Sequence, residues 1–186
     1  MSPSSTSSAA VDRRGSATVT TPSDREIRIT RIFDAPAQVV FDVWTTPAYV
    51  RRWWSGDRAP LVVCEIDLRV GGAWRYVTRD AQGVELAWSG VYQEIEAPHR
   101  LVATEMFEAH PDAVAQNTWT LEERDGTTML TVDVLHASQD NRDGHLNSGM
   151  EPGMQLALDR FETLLAETVL VDTVLDETVL DEEARS

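Results

Sequence analysis

Five polar side chains stand where alternation along the chain reserves places for apolar ones: Arg31, Thr78, Thr104, Asn117 and His136. A polar group removed from water without a partner costs several kcal/mol, roughly. A cavity holding water or a guest explains five of them more readily than a filled core does. His136 has the chemistry for proton transfer near neutral pH, with Tyr76, Thr104 or Asn117 as possible hydrogen-bonding partners across the hollow. It is the one candidate catalytic residue, and a satisfied structural histidine is the plainer reading. Arg31 needs a counter-charge if buried. Glu94 and Glu105 qualify by charge alone, and the functional alternative is an anchor for a ligand carboxylate or phenolate.

Six tryptophans add a second signal: Trp44, Trp53, Trp54, Trp74, Trp88 and Trp119. Each offers a large apolar area with one N–H donor. Core filling accounts for Trp44, Trp74 and Trp88 as readily as an aromatic-walled pocket does. Trp53 and Trp54 are adjacent beside Gly56, so one of them faces outward or towards a cavity mouth. Met150 and Met154 share a helical stripe and would make a floor that adapts to different shapes. Metal binding has no support, since His99, His110, His136 and His145 are dispersed and Cys64 is alone. Gly71-Gly72 lacks the Lys-Ser/Thr of a phosphate loop and reads as a tight turn. Neither a metal nor a cofactor is expected.

The elements that must position these residues follow from periodicity. Ile27, Ile29 and Phe33 alternate, as do Trp74 and Tyr76, then Leu86, Trp88 and Tyr92, then Trp119 and Leu121, then Leu130, Val132 and Val134. Period two predicts strands with one covered face. The strands are placed at 26–33, 61–69, 73–79, 84–96, 100–108, 115–124 and 127–136. Turn residues join the last six, including Asp125-Gly126, so the sheet is an antiparallel meander. Ala37, Val40, Phe41 and Trp44 mark a helix opening at Pro36, and Pro47 starts a second short one ending near Trp53. A final helix over about 148–167 carries Met150, Met154, Ala157, Leu158, Phe161, Leu164 and Leu165 on one stripe.

Composition sets the limits. The 186 residues suit one domain with a core, at 24–167, flanked by two tails. Residues 1–23, rich in Ser, Thr, Ala and Pro, read as a disordered arm. Residues 168–186 hold an acidic repeat of period five, which keeps no single face towards a core. It reads as a disordered extension, with a continued helix or a partner-binding segment as alternatives. The net charge of −15 argues against nucleic acid as a partner. A single cysteine suits a reducing cytosol, and no stretch approaches a membrane span.

The local sequences RIFDAPAQVVFDVWTTPAYVRRWW (31–54), DLRVGGAWRYV (67–77), GVYQEIEAPHRLVATE (90–105) and SGMEPGMQLALDRFETLL (148–165) resemble one branch of the START-like helix-grip (SRPBCC) superfamily. That branch is named after the activator of the heat-shock chaperone ATPase. The resemblance covers about 26–166 and implies an α+β helix-grip fold. In it, a curved antiparallel sheet of about seven strands wraps a long C-terminal helix, with two short helices after the first strand. It implies a bacterial, cytoplasmic protein, with a chaperone as one possible partner. The expected function is non-catalytic binding of a small hydrophobic or aromatic ligand by Arg31, Trp44, Trp53, Trp54, Trp74, Tyr76, Trp88, Thr104, Asn117, Trp119, His136, Met150 and Met154. A cyclase- or hydrolase-type enzyme in the same cavity is the alternative, and a chaperone-modulating interaction protein is a third.

Overall fold

The computed structural model describes residues 12–183, with side chains through residue 169. Twelve elements follow in order: β1 (Thr18–Thr20), β2 (Glu26–Phe33), α1 (Ala37–Thr45), α2 (Pro47–Trp53), β3 (Leu61–Ile66), β4 (Ala73–Arg79), β5 (Glu85–Glu96), β6 (Arg100–Phe107), β7 (Ala115–Arg124), β8 (Thr127–His136), α3 (Gln139–Asn147) and α4 (Met150–Glu183). The strands form one antiparallel sheet in the order β1-β2-β8-β7-β6-β5-β4-β3. This is an α+β helix-grip architecture. β3 to β8 run as a meander, and α1 and α2 carry the chain from β2 across to β3 at the far edge.

Register decides which side chains share a face. Ile27, Ile29, Arg31 and Phe33 stand opposite Val134, Val132, Leu130 and Thr128. On β7, Asn117, Trp119 and Leu121 face Val134, Val132 and Leu130. These residues form the concave, inner face. Asp125 (φ 50°) and Gly126 (φ 75°) make the two-residue turn into β8, the geometry that matches strand twist. At Gly72 a Cβ would lie 2.0 Å from the Asp67 carbonyl, so the β3–β4 turn requires glycine there.

Four features that depart from the sequence-based expectation or add to it have physical reasons. β1, pairing Thr18 with Thr30, lies within the stretch expected to be a disordered arm. The backbone groups of β2 offer that short segment an edge, and Gln155 Nε2 donates to the Ala17 carbonyl at 2.6 Å. Residues 1–11 of that expected arm lie outside the described residues. The polar stretch after β8 is a helix, α3, capped where the Asn141 amide donates to Ser138 Oγ at 3.2 Å. α4 starts at Met150, so Pro152 falls in its first turn, where a missing N–H breaks no intrahelical bond. The backbone of α4 runs on to Glu183 through the repeat, because helix hydrogen bonding is local and needs no continuous apolar face.

α4 fills the inner face at the β2–β8–β7 side. Leu158, Phe161, Leu164 and Leu165 are buried, and the Phe161 ring lies 5.0 Å from Phe33, 5.3 Å from Trp44 and 5.0 Å from Trp53. Arg31, fully buried, meets both Asp159 (2.9 Å) and Glu162 (2.5 Å) of α4 through one amino group. That corrects the choice of Glu94 or Glu105 as its partner. Glu94 accepts from Arg100 instead, and Glu105 accepts from Asn117. The Nε and Nη1 of Arg31 are buried without a partner among the described residues, and Arg31 does not line the cavity described below.

Candidate functional site

The same face is open elsewhere. A cavity of about 980 Å³ lies between the ends of β5, β6, β7 and β8, the loop after β6, and the α3–α4 junction. Gly149, at φ 80°, turns the chain between the two helices. α3 therefore reaches across the mouth from the end of β8 while α4 leaves along the sheet. Leu86, Trp88, Phe107, Ala115 and Met150 supply apolar wall. Leu86 is 44% exposed although its alternation assigns it to the inner side, because that side is cavity here. The Trp88 ring packs 5.3 Å from Phe107, and Phe107 lies 5.7 Å from His110 at the rim.

Two polar units face this space. The first is a histidine pair. His136 Nδ1 lies 3.1 Å from the Arg25 carbonyl, and its Nε2 lies 3.0 Å from His145 Nδ1. A carbonyl only accepts, so His136 carries its proton on Nδ1. Burial holds both rings below the ordinary histidine range, His145 to about 4 with His136 adding to the effect. With both rings neutral, His136 Nε2 accepts from His145 Nδ1–H. His145 then keeps Nε2 as a bare lone pair. The second unit is Glu105, whose Oε2 accepts from Asn117 Nδ2 at 2.8 Å. Burial pushes its carboxyl above the ordinary range, opposed by that bond. No arginine pairs with Glu105 among the described residues. Nor do three or more His, Cys, Asp or Glu come together to hold a metal there.

The model of the family described as Activator of Hsp90 ATPase homolog 1-like protein matches residues 34–166. The chain belongs to this family. Among solved structures, a protein of Rhodobacter sphaeroides shares its fold at a TM-score of 0.75 and 24% identity, covering 81% of this chain and 98% of that one. Proteins of Mycobacterium smegmatis (TM-score 0.72, 25% identity, 80% and 96% covered) and Arthrobacter aurescens (0.72, 26%, 81% and 91%) are similarly alike. No curated protein matches the chain.

Of the residues singled out by sequence in this family member, Trp88, His136 and Met150 line the cavity. Asn117 stands one hydrogen bond behind it, through Glu105, with its Oδ1 buried and unpartnered. Trp54 packs 4.8 Å from Trp88 and 5.2 Å from Tyr76, and Tyr76 lies 4.9 Å from Trp74, so these three back the cavity wall. Burial keeps the Tyr76 hydroxyl protonated far above its ordinary range, and Tyr76 does not line the cavity. Trp44 and Trp53 belong to the Phe161 cluster, where Trp53 donates to the Val43 carbonyl at 3.1 Å. Trp119 joins that cluster 6.3 Å from Trp44, beside a void of about 10 Å³ that suits no guest larger than water. Met154 is half-buried against the core, away from the cavity lining.

Thr104 is a correction. It stands opposite Gln116 on the outer face, and its hydroxyl accepts from the Val91 amide at 3.0 Å. Its neighbour Glu105, opposite Ala115, is the inward residue. Leu101, Ala103 and Glu105 alternate inward, but Val102 between them is also buried, so burial on both faces hides the parity. His145 was likewise missed. The signals that would find it are the Ser138 cap and Gly149, which bracket a helix short enough to return it to His136.

Proposed function

We propose that this protein binds and sequesters, or senses, a small and largely apolar molecule with an aromatic portion, without converting it. The observation that carries this reading is the cavity of about 980 Å³ walled by Leu86, Trp88, Phe107 and Met150. Its volume is at the upper end of ordinary small-molecule sites, about 300–1,000 Å³. Trp88 and Phe107 offer ring faces to a flat guest. A cytoplasmic setting agrees with the one free cysteine, Cys64. Among the described residues, no helix is long and apolar enough to cross a membrane. The family's name carries chaperone ATPase activation, whereas the cavity supports a small-molecule role. The test is titration of aromatic compounds by calorimetry against the wild type and Trp88→Ala. Saturable binding weakened about tenfold or more in the variant supports the reading, and no saturable binding by any of them while the protein stays folded refutes it.

One observation favours a second reading, proton-transfer catalysis in the same cavity. His136, fixed by the Arg25 carbonyl, takes the Nδ1–H of His145, a lining residue, and leaves His145 Nε2 without a proton. If a bound compound is turned over, His145→Asn abolishes turnover while calorimetric affinity persists. Turnover that survives the substitution removes the pair from the chemistry.

A further inference from the structure

The cavity lining carries carboxylates and no arginine or lysine, beside groups that both donate and accept, His110, Asn141 and Ser148. Glu105 lies within the cavity, and Asp112 and Asp140 stand exposed at its rim. The whole chain has no lysine. Arg31, on the same inner face, is occupied by Asp159 and Glu162. Arg142, on α3, donates to Asp143 at 2.6 Å and to the Ser23 carbonyl at 3.1 Å. His145 turns its N–H to His136 and leaves a lone pair on Nε2, to which no described residue donates. Trp88 and Phe107 line the same space, and aromatic rings attract cations.

Resting on the reading that the cavity takes an apolar guest, we propose that it selects guests carrying a protonated amine and turns away carboxylates and phenolates of the same shape. An ammonium brings three N–H donors and no acceptor. It pairs with the Glu105 carboxylate, whose one protein partner among the described residues is the neutral Asn117 amide, or with His145 Nε2, while its apolar body lies on Trp88 and Phe107. Asn117 fixes the Glu105 carboxylate by holding Oε2 at 2.8 Å. A guest carboxylate in the same place would set two anions together with no cation between them, the costly arrangement inside a protein. Burial raises the Glu105 carboxyl, and an ammonium beside it reverses that effect. Asp112 and Asp140 extend the negative field to the mouth, where it draws cations in and repels anions. The same sheet face thus has one buried charge that the fold neutralises and one that a guest is left to neutralise.

The test uses the full chain and three probes with one aromatic body: 2-(1-naphthyl)ethylamine, 2-(1-naphthyl)ethanol and 1-naphthylacetate. Calorimetry near neutral pH reads the affinity of each. The amine is expected to bind about tenfold tighter than the alcohol, and the carboxylate more weakly than either. Glu105→Gln is expected to bring amine and alcohol within about threefold of each other, chiefly through a fall in amine affinity. Should that variant fail to fold, Asp112→Asn with Asp140→Asn, both exposed, is expected to lower amine affinity about twofold to threefold and to raise that of the carboxylate. Binding of all three with equal affinity, or a preference for the carboxylate, overturns the amine inference and leaves the apolar-guest reading standing. Failure of all three to bind overturns both.

Discussion

Arg31 and Glu105 are both charged residues on the inner face of one sheet, and they end in opposite circumstances. Arg31 is sealed beneath α4 between two carboxylates. Glu105 has one neutral amide for a partner and lines a cavity. The helix accounts for the difference. Where α4 covers the sheet it brings Asp159 and Glu162 one turn apart, and the charge becomes part of the structure. Where α4 has not yet begun, α3 brings Asp140 and His145, which supply no cation to a carboxylate. A buried charge that the protein neutralises is scaffold, and one that it leaves unmatched is a candidate for recognition.

Breaking the sealed side has the largest effect. Asp159→Asn with Glu162→Gln leaves Arg31 buried without a counter-charge and is expected to cost about 3–5 kcal/mol by urea denaturation. Arg31→Met is expected to cost less, since both carboxylates are partly exposed and can turn to water. Equal losses in the two would mean that the ion pair itself, and not the stranded arginine, sets the stability.

The histidine pair gives the next effect. His145 has a folded pKa of about 4 against an ordinary 6.5. The unfolded chain therefore binds a proton that the folded chain refuses, and stability falls as pH drops from 6.5 towards 4. The loss from this group is on the order of 3 kcal/mol at the acid end of that window. His145→Gln is expected to lack this part of the pH dependence, measured as the difference between wild-type and variant stability curves. Parallel curves would show that the pair is not held neutral.

Glu105→Gln sharpens the open side. A carboxyl raised by burial contributes stability that is complete below its unfolded pKa and is lost as pH rises through the folded one. The variant is thus expected to gain on the wild type as pH rises above the ordinary glutamate pKa, read from thermal melts across pH. A variant that loses ground as pH rises would mean that the carboxylate is matched by a cation. The smallest effect belongs to charges that water already satisfies. Arg28→Ala, breaking the exposed pair with Asp133 at 2.6 Å, is expected to cost under about 1 kcal/mol.

Much of this arrangement is legible without coordinates. Alternation assigns Ile27, Ile29, Arg31 and Phe33 to one face, and the register confirms that face. Arg31, Thr78, Asn117 and His136 are buried as their parity requires. Thr104 shows the limit: in a strand buried on both sides, alternation loses its contrast and a slip of one residue exchanges the faces. The tryptophans show another. Trp44, Trp53 and Trp119 gather with Phe161, while Trp88 reaches the cavity, and composition alone does not distinguish them.

The sequence by itself determined the antiparallel sheet, its inner face, the two short helices, the gripping helix and the family, because periodicity and turn chemistry act over a few residues. Only the tertiary structure decided that Arg31 meets Asp159 and Glu162, that His136 meets His145, and that Glu105 meets no cation among the described residues. Those pairings depend on where α3 and α4 come to rest against a curved sheet. Depth of burial and sign of charge at a point are set by what arrives from far along the chain, and local pattern carries no record of it.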